Sequence, residues 1–376
     1  MAKKHRKILI ATGIFPPDIG GPATYRKLLL DELSNRGLAV KVVSFGAVRH
    51  LPKIIRHFVY FFKILRKGFF ADVIFAQDPV SVGLPSVLAA KILRKKFILK
   101  VVGDYAWEQY QQKIQNSKFK IQNYNAKLKN IEDFQAEKFD VVTELRRKVE
   151  SWVAKKADKI IVPSEYLKKI VGTWGAENNK IIVVYNAFKN ESISAAGSVS
   201  AAGKSYIVSA GRLVPWKGFD VLIDAIGELP EEIKLKIIGS GPERKKLELK
   251  IKNLGLENKI DLIGQLPHRE LLQCFAGAEI FVLNTAYEGL SHVILEAMAC
   301  GVPVITTNIG GNPEIIKNGH NGILVEYNNK DQFKKAISEL HNNLDLRKLF
   351  IENSYKELEK FSKEKMLKET INILIS

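Results

Sequence analysis

Cysteine, Asp-x-Asp pairs and long apolar runs are scarce or missing in this 376-residue sequence. The only cysteines, Cys274 and Cys300, lack a metal-binding spacing, so we expect two buried free thiols in a reducing compartment. No Asp-x-Asp pair occurs, so a common carboxylate arrangement for a divalent cation is absent. No apolar run approaches a membrane span, and the basic segment Lys3–Lys7 leads only into a short strand. We therefore expect a cytoplasmic protein with neither a membrane helix nor a secretory leader.

Strand-like and helical segments alternate twice along the chain, which predicts an α/β protein with two parallel sheets. A chain of this length, 46% hydrophobic, can bury two domain cores. We predict a first domain over 1–185 with a polar insertion at about 111–130, a linker over 186–204, a second domain over 205–360 and a final helix within 361–376. The predicted strands lie near 7–12, 39–45, 72–76, 97–102, 158–163, 181–184, 205–210, 233–238, 259–263, 279–283, 302–306 and 322–325.

All of the excess positive charge lies in the first half of the chain. Residues 1–185 carry 34 Lys and Arg against 16 Asp and Glu, whereas residues 186–376 carry 24 of each. Such an excess predicts an anionic partner, and the absence of a nucleic-acid recognition motif favours a membrane surface over nucleic acid. We expect reversible, salt-sensitive docking of the first domain on the inner face of the cytoplasmic membrane.

One basic segment, 53–67, has the helical periodicity that separates two faces. We expect its apolar face to pack against the sheet, while each cation of the basic face contributes about 1 kcal/mol near anionic lipid. Ile64 falls outside the predicted apolar face. The apolar face comprises Ile54, Ile55, Phe58, Val59, Phe61, Phe62 and Leu65, and the basic face comprises Lys53, Arg56, His57, Lys63 and Lys67.

Two carboxylates eight residues apart, Glu288 and Glu296, flank a predicted helix start. Glu288 lies in a loop after an apolar strand, and Glu296 lies in the second turn of a helix for which Ser291 is the expected N-cap. The unpaired amides and the dipole of a helix start bind phosphate. The pattern predicts a ligand with hydroxyl groups at both ends and a diphosphate between them, such as a nucleotide sugar. Two solvated acids at a helix end are the alternative.

A second loop carries two cations after another predicted strand. Arg212 and Lys217 lie between Gly211 and Gly218 in the sequence SAGRLVPWKG. Arginine offers phosphate a planar fork and lysine a mobile point charge. Together they can neutralise a departing diphosphate without a metal, so no cofactor is expected. Ordinary surface charge is the alternative.

These motifs resemble those of the retaining GT-B glycosyltransferases usually called family 4. Four further segments, at 15–25, 238–243, 301–305 and 319–322, are similar to recurrent family segments in the same order. The resemblance implies two Rossmann-like parallel-sheet domains facing a central cleft, with the C-terminal helix crossing back. It also implies that the first domain binds the acceptor and the second binds a nucleotide-sugar donor.

The resemblance further implies a role for each matching residue. Glu288 would contact the donor sugar and Glu296 the ribose, while Leu266 would lie beside the base. Arg212 and Lys217 would clamp the diphosphate. The other implied donor-binding positions are Gly20 and Gly21 of the glycine-rich entry and the backbone amides of Leu290, Ser291 and His292.

The sequence departs from the family after the fourth strand. Many members carry a histidine there that faces the acceptor, whereas this chain has Gly103 followed by Asp104. Asp104 is therefore the candidate catalytic group on the acceptor side, with a helix N-cap as the equal alternative. A retaining front-face reaction needs no side-chain base, because the departing phosphate oxygen can take the acceptor proton.

The sequence thus predicts a metal-independent retaining glycosyltransferase acting on a glycan or lipid-linked acceptor in cell-envelope polysaccharide or glycolipid synthesis. Two other functions stay open, a sugar-nucleotide epimerase on the same fold and a non-catalytic basic protein that binds nucleotides or nucleic acid. A dinucleotide-binding enzyme is disfavoured because Gly239 and Gly241 are followed by Arg244 where the fingerprint needs a third glycine.

Overall fold

The computed structural model describes residues 6–13, 21–116, 131–188 and 206–376. Its internal contacts divide the chain into a first unit, Met1–Tyr185 with Glu364–Ser376, and a second unit, Asn186–Lys363. Each unit contains a six-stranded parallel sheet in the described residues, which confirms the predicted fold class. Most of the predicted linker and residues 117–130 of the predicted insertion lie outside the described residues.

The sheet of the first unit has the strand order β2-β1-β3-β4-β5-β6, and every pairing is parallel. Its central strands are almost wholly buried, which requires helices on both faces and explains their uninterrupted apolar sequences. The strands are β1 Lys7–Thr12, β2 Ala39–Ser44, β3 Val73–Ala76, β4 Lys96–Lys100, β5 Lys159–Val162 and β6 Ile181–Val183.

Helices connect these strands, and the last helix of the chain also belongs to this unit. The Arg6 guanidinium, just before β1, donates to the carbonyl of Ser376 at 2.7 Å, so the terminal helix is bonded to the segment that leads into β1. The helices are α1 Gly21–Asn35, α2 Lys53–Gly68, α3 Gly83–Leu93, α4 Tyr105–Asn116, α5 Ile131–Ala136, α6 Val141–Lys156, α7 Glu165–Thr173 and the terminal helix Lys363–Ile375.

Helix α2 packs on the sheet with a face other than the predicted one. Tyr60 and Ile64 are completely buried, and the Tyr60 hydroxyl donates to the carbonyls of Val43 (3.0 Å) and Thr12 (3.3 Å). Four residues beyond Ile64, Gly68 allows close packing, since a Cβ there would lie 3.0 Å from Leu93 Cδ1.

The predicted apolar face of α2 is therefore directed outward. Ile55, Phe58 and Phe62 are 51%, 62% and 61% exposed. The prediction that this face packs against the sheet is wrong, because an aromatic hydroxyl with two carbonyl partners and a small residue supply the inner face instead.

The sheet of the second unit has the strand order β12-β11-β10-β7-β8-β9, again entirely parallel. The first strand, β7, lies between β8 and β10, so the chain changes its winding direction there. Open α/β sheets bind ligands beyond the carboxyl ends of the strands at such a point. The strands are β7 Ile207–Ala210, β8 Leu235–Ile238, β9 Ile260–Gly264, β10 Ile280–Leu283, β11 Val304–Thr307 and β12 Gly322–Val325.

The helices of the second unit cover its sheet around a core that includes Leu222, Val282, Ile305 and Phe333. Both cysteines are free, but only Cys300 is buried, whereas Cys274 is half-buried. Among the helices described in either unit, none is both long and apolar enough to cross a bilayer. The helices are α8 Phe219–Gly227, α9 Arg244–Asn253, α10 His268–Ala276, α11 His292–Ala299, α12 Asn312–Ile315, α13 Lys330–Asn342 and α14 Leu344–Leu358.

Candidate functional site

The loops after β7 and β10 of the second unit lie side by side at the point where the winding direction of the sheet changes, and hydrogen bonds connect them. The amide of Ala286 donates to the carbonyl of Trp216 at 2.8 Å, and the Asn284 side-chain amide donates to the carbonyl of Gly218 at 2.8 Å. Gly218 adopts a φ of +48°, and a Cβ there would overlap the Asn284 side chain. The sheet order therefore places the two sequence motifs in direct contact.

This joint places Lys217 against Glu288. The Lys217 Nζ and the Glu288 Oε1 form an ion pair, and their side chains are only 11% and 18% exposed. Removing two charges from water costs much of the energy that their attraction returns, so such a pair adds little to stability. A contribution to stability therefore does not by itself account for the two charges in these loops.

Arg212 lies on the same loop as Lys217 but remains exposed. Within the described residues, its guanidinium forms neither an ion pair nor a hydrogen bond. Its fork of N–H donors is thus available to an anion near Lys217.

The glycines of the β8–α9 turn support the Arg212 loop rather than a dinucleotide. A Cβ on Gly239 would overlap the carbonyl of Gly211, and one on Gly241 would overlap the carbonyl of Leu213. The amide of Leu213 donates to the carbonyl of Ser240 at 2.9 Å. These close contacts explain the two glycines without the third that a dinucleotide fingerprint requires.

Helix α11 begins beside Glu288 with open amides. Ser291 occupies the N-cap position, as the sequence predicts, but its buried hydroxyl makes no capping hydrogen bond in the described structure. The backbone amides of Leu290 and Ser291 likewise donate to no group among the described residues. The start of α11 thus offers unpaired donors and a positive dipole end to an anion.

Glu296 lies one helical turn inside α11 and pairs with a histidine that the sequence reasoning missed. The His268 Nε2 lies 2.9 Å from the Glu296 Oε1, and the carboxylate side chain is only 13% exposed. His268 begins α10, directly after the turn that carries the half-buried Leu266. The pair links the loop after β9 to α11.

A glycine pair after β11, also missed from the sequence, fixes the backbone of Glu288. The amide of Gly311 donates to the carbonyl of Glu288 at 3.0 Å. A Cβ on Gly310 would overlap the Glu288 carbonyl, and a Cβ on Gly311 would overlap the Gly289 carbonyl. Two adjacent glycines after a buried strand are the sequence signal for such a close approach.

Asp104, in the first unit, is a helix cap. It is 1% exposed, its Oδ1 accepts from the Trp107 amide at 2.7 Å, and its Oδ2 accepts from the Gln135 side chain at 2.8 Å. Burial raises its pKa, and hydrogen bonds oppose this rise. Glu150 Oε1 accepts from the amides of Tyr105 and Ala106, and burial raises the Glu150 pKa strongly. Asp104 thus makes the contact expected of an N-cap residue, and an acceptor role for Asp104 stays a prediction.

The structure places the remaining candidates of the second unit on the loops after β7, β9 and β10 and on α11, which contains His292 and Glu296. Gly20 lies outside the described residues, and Gly21 is the first residue of α1. No cluster of three or more metal-ligating His, Cys, Asp or Glu side chains occurs in the part of the chain that the structure describes.

Two family models match consecutive parts of the chain, Glycosyltransferase Family 4 over residues 19–191 and Glycosyl transferases group 1 over residues 192–357. The chain belongs to the family 4 type of group 1 glycosyltransferases. Its relatives include MJ1178 of Methanocaldococcus jannaschii, a glycosyltransferase that is 37% identical over 56% of this chain and 57% of that protein.

Another relative is the Campylobacter jejuni N-acetylgalactosamine-N,N'-diacetylbacillosaminyl-diphospho-undecaprenol 4-alpha-N-acetylgalactosaminyltransferase. It is 29% identical over 58% of this chain and 60% of that protein. The chain thus spans less than two thirds of either relative. Anabaena HepE, solved with UDP-glucose, covers 98% of this chain and 100% of its own with a TM-score of 0.74 and 19% identity. This likeness shows the fold, which is GT-B.

Proposed function

We propose that this protein transfers a glycosyl group from a nucleoside diphosphate sugar to a glycan or lipid-linked acceptor, with retention of configuration and without a metal. The observation that supports this most is the Lys217–Glu288 pair beside the open start of α11. Cations, free amides and a carboxylate meet there at the ligand-binding edge of a parallel sheet. The proposed setting is cell-envelope polysaccharide or glycolipid synthesis.

Each group at this edge has a proposed contact with the donor. Arg212, Lys217 and the backbone amides of Leu290 and Ser291, just before α11, bind the diphosphate, and Glu288 orients the sugar. Glu296 holds the ribose hydroxyls, and His268 positions the Glu296 carboxylate through their hydrogen bond. Leu266, on the turn before His268, supplies apolar surface for the base.

The proposed reaction breaks the bond between the sugar anomeric carbon and the diphosphate oxygen. An acceptor hydroxyl oxygen forms the new bond to the same carbon on the same face, and its proton passes to the departing phosphate oxygen. Arg212 and Lys217 stabilise the charge that develops on the diphosphate. No side-chain base is required, in agreement with Gly103 at the position where many family members carry histidine.

The donors and acceptors to be tested follow from the ligands and substrates named for similar proteins. HepE was solved with UDP-glucose, and the Campylobacter relative is named for a diphospho-undecaprenol substrate. A thermal-shift panel of UDP-, GDP-, ADP- and dTDP-sugars identifies the donor, followed by turnover with and without a polyprenyl diphosphate sugar. We expect donor consumption only with an acceptor. Conversion of the donor alone would favour the epimerase instead.

Activity is expected to survive EDTA. Arg212 and Lys217 provide two positive charges for the diphosphate, so a divalent cation is not needed to neutralise it. Initial rates are compared in EDTA and in added Mg²⁺ or Mn²⁺. Complete dependence of the rate on an added metal ion would contradict this prediction.

Substitutions of the two carboxylates are expected to separate binding from rate. Glu296→Gln should raise the KM for the donor with little change in kcat, whereas Glu288→Gln should mainly lower kcat. His268→Gln should share the KM effect of Glu296→Gln because it positions that carboxylate.

The matched control is His341→Gln, since His341 pairs with Glu279 at 3.1 Å and is similarly exposed. Glu279 precedes β10 and thus lies at the opposite edge of the sheet. If Glu288→Gln and Glu296→Gln both keep wild-type steady-state constants, these two roles are misassigned.

A further inference from the structure

The outward face of α2 carries a continuous row of large apolar side chains. Ile55, Phe58 and Phe62 follow the spacing i, i+3 and i+7, and Phe69, the C-cap residue just after α2, lies seven residues further on, so all four lie on one side of the helix axis. Each is more than half exposed, from 51% for Ile55 to 66% for Phe69. We call these four residues the apolar row of α2.

Cations lie directly beside the apolar row. Lys63, Arg66 and Lys67 are exposed on the adjoining side of α2. Lys67 donates to the carbonyl of Val42 at 3.0 Å, so its position is fixed. At the end of the helix, the exposed Phe70 lies beneath the ammonium of Lys41, 5.0 Å from its ring centroid.

The neighbouring helix extends the same chemistry. Helix α3 packs beside α2 and exposes Leu88 and Ile92 at 40% and 63%. Between them Lys91 lies over the ring of Trp152 of α6, with its ammonium 4.8 Å from the ring centroid. Apolar and cationic groups thus alternate over two adjacent helices.

We propose that the apolar row of α2 inserts into the headgroup and acyl boundary of an anionic lipid bilayer, while the adjacent cations contact lipid phosphates. Helices with phenylalanine on one side and lysine or arginine on the other lie in this plane. The first half of the chain carries all the excess positive charge, which complements an anionic leaflet.

The same charges disfavour the other occupants of this face. In a two-fold dimer through α2, the cations Lys63 and Arg66 of one copy would approach those of the other. Nucleic acid would satisfy the cations but would leave four large apolar side chains in water. A bilayer surface satisfies both groups at once.

Insertion predicts a different salt response from purely electrostatic docking. Exposed charges are screened beyond about 8 Å at physiological ionic strength, whereas buried apolar area is not. Binding to anionic vesicles should therefore weaken at high salt without disappearing. This inference does not depend on the proposed donor chemistry.

The test is flotation of the full chain with phosphatidylcholine vesicles and with vesicles containing phosphatidylglycerol. Phe58→Ser with Phe62→Ser should lower binding to anionic vesicles at least about tenfold, and so should Lys63→Gln with Arg66→Gln. Two controls on α9 of the second unit should bind like wild type. They are Leu249→Ser, where the leucine is 59% exposed, and Lys245→Gln with Lys252→Gln.

The depth of insertion is measured by the quenching of tryptophan fluorescence on vesicles of brominated lipid, with the variant Phe62→Trp and the control Leu249→Trp. Only the Phe62→Trp variant should be quenched more than wild type.

Equal binding to neutral and anionic vesicles, or wild-type binding by the Phe58 and Phe62 double variant, would overturn the proposal. A dimer in sedimentation that this double variant dissociates would also overturn it. Thermal unfolding and nucleotide-sugar binding are recorded for each variant, so a failed donor assay remains separate from failed membrane binding.

Discussion

Replacing Lys217 with alanine should lower kcat/KM for the donor by about 10²–10³-fold, the loss seen when one preorganised charge-stabilising donor is removed. Lys217 is held beside Glu288 by hydrogen bonds between two loops, so its charge needs no reorganisation when the diphosphate departs. Arg212→Ala should produce a loss of similar size. Steady-state kinetics with the identified donor measures both effects.

A matched control separates the loss of Lys217 from the loss of any ion pair. Lys250 pairs with Asp224 at 2.6 Å between two helices of the same unit, so Lys250→Ala removes an ion pair away from the loops. It should leave kcat/KM within about threefold of wild type, because a half-exposed pair contributes little. Equal effects of Lys217→Ala and Lys250→Ala would remove Lys217 from the proposed site.

Gly311→Ala should reduce turnover by about 10²-fold or more. The added Cβ would overlap the carbonyl of Gly289, so the backbone beside Glu288 and the start of α11 must shift. A displacement of about 1 Å in a positioned group can cost 10²-fold in rate. Kinetics and thermal unfolding of the variant are measured together.

Gly319→Ala is the control for a glycine substitution that strains the fold without touching the site. Gly319 has a φ of +72°, but a Cβ there would have open space around it. The strain should cost about 1–2 kcal/mol of unfolding free energy and leave kcat near wild type. If Gly311→Ala loses stability like Gly319→Ala but keeps its rate, the glycine pair does not position Glu288.

The sheets and the donor-side loops could be predicted because their signals are local. Each strand is a short apolar run followed by a turn, and parallel strands place their carboxyl ends at one edge. Glu288, Glu296, Arg212 and Lys217 all follow such strands, so their sequence positions indicated their common edge. Their contacts, such as the Lys217–Glu288 pair, depend on the strand order, which a single sequence does not specify.

The remaining features depend on tertiary contacts. Helical periodicity divides α2 into faces but does not say which face the sheet covers. In the structure the sheet covers the face that carries Tyr60, whose hydroxyl bonds to two backbone carbonyls. His268 and Glu296 are 28 residues apart in sequence and meet only through packing of α10 and α11. Asp104 has the sequence context of both an N-cap and a reactive acid, and burial beside Gln135 favours the cap.

The most direct test of the donor site is calorimetric titration with the nucleoside diphosphate identified by the thermal-shift panel, in EDTA throughout. Wild type and Lys250→Ala should bind one equivalent with the same Kd, and Lys217→Ala should bind at least about tenfold more weakly, since ion pairing to phosphate is lost. Unchanged affinity in Lys217→Ala, or binding by wild type only after a metal is added, would contradict the account.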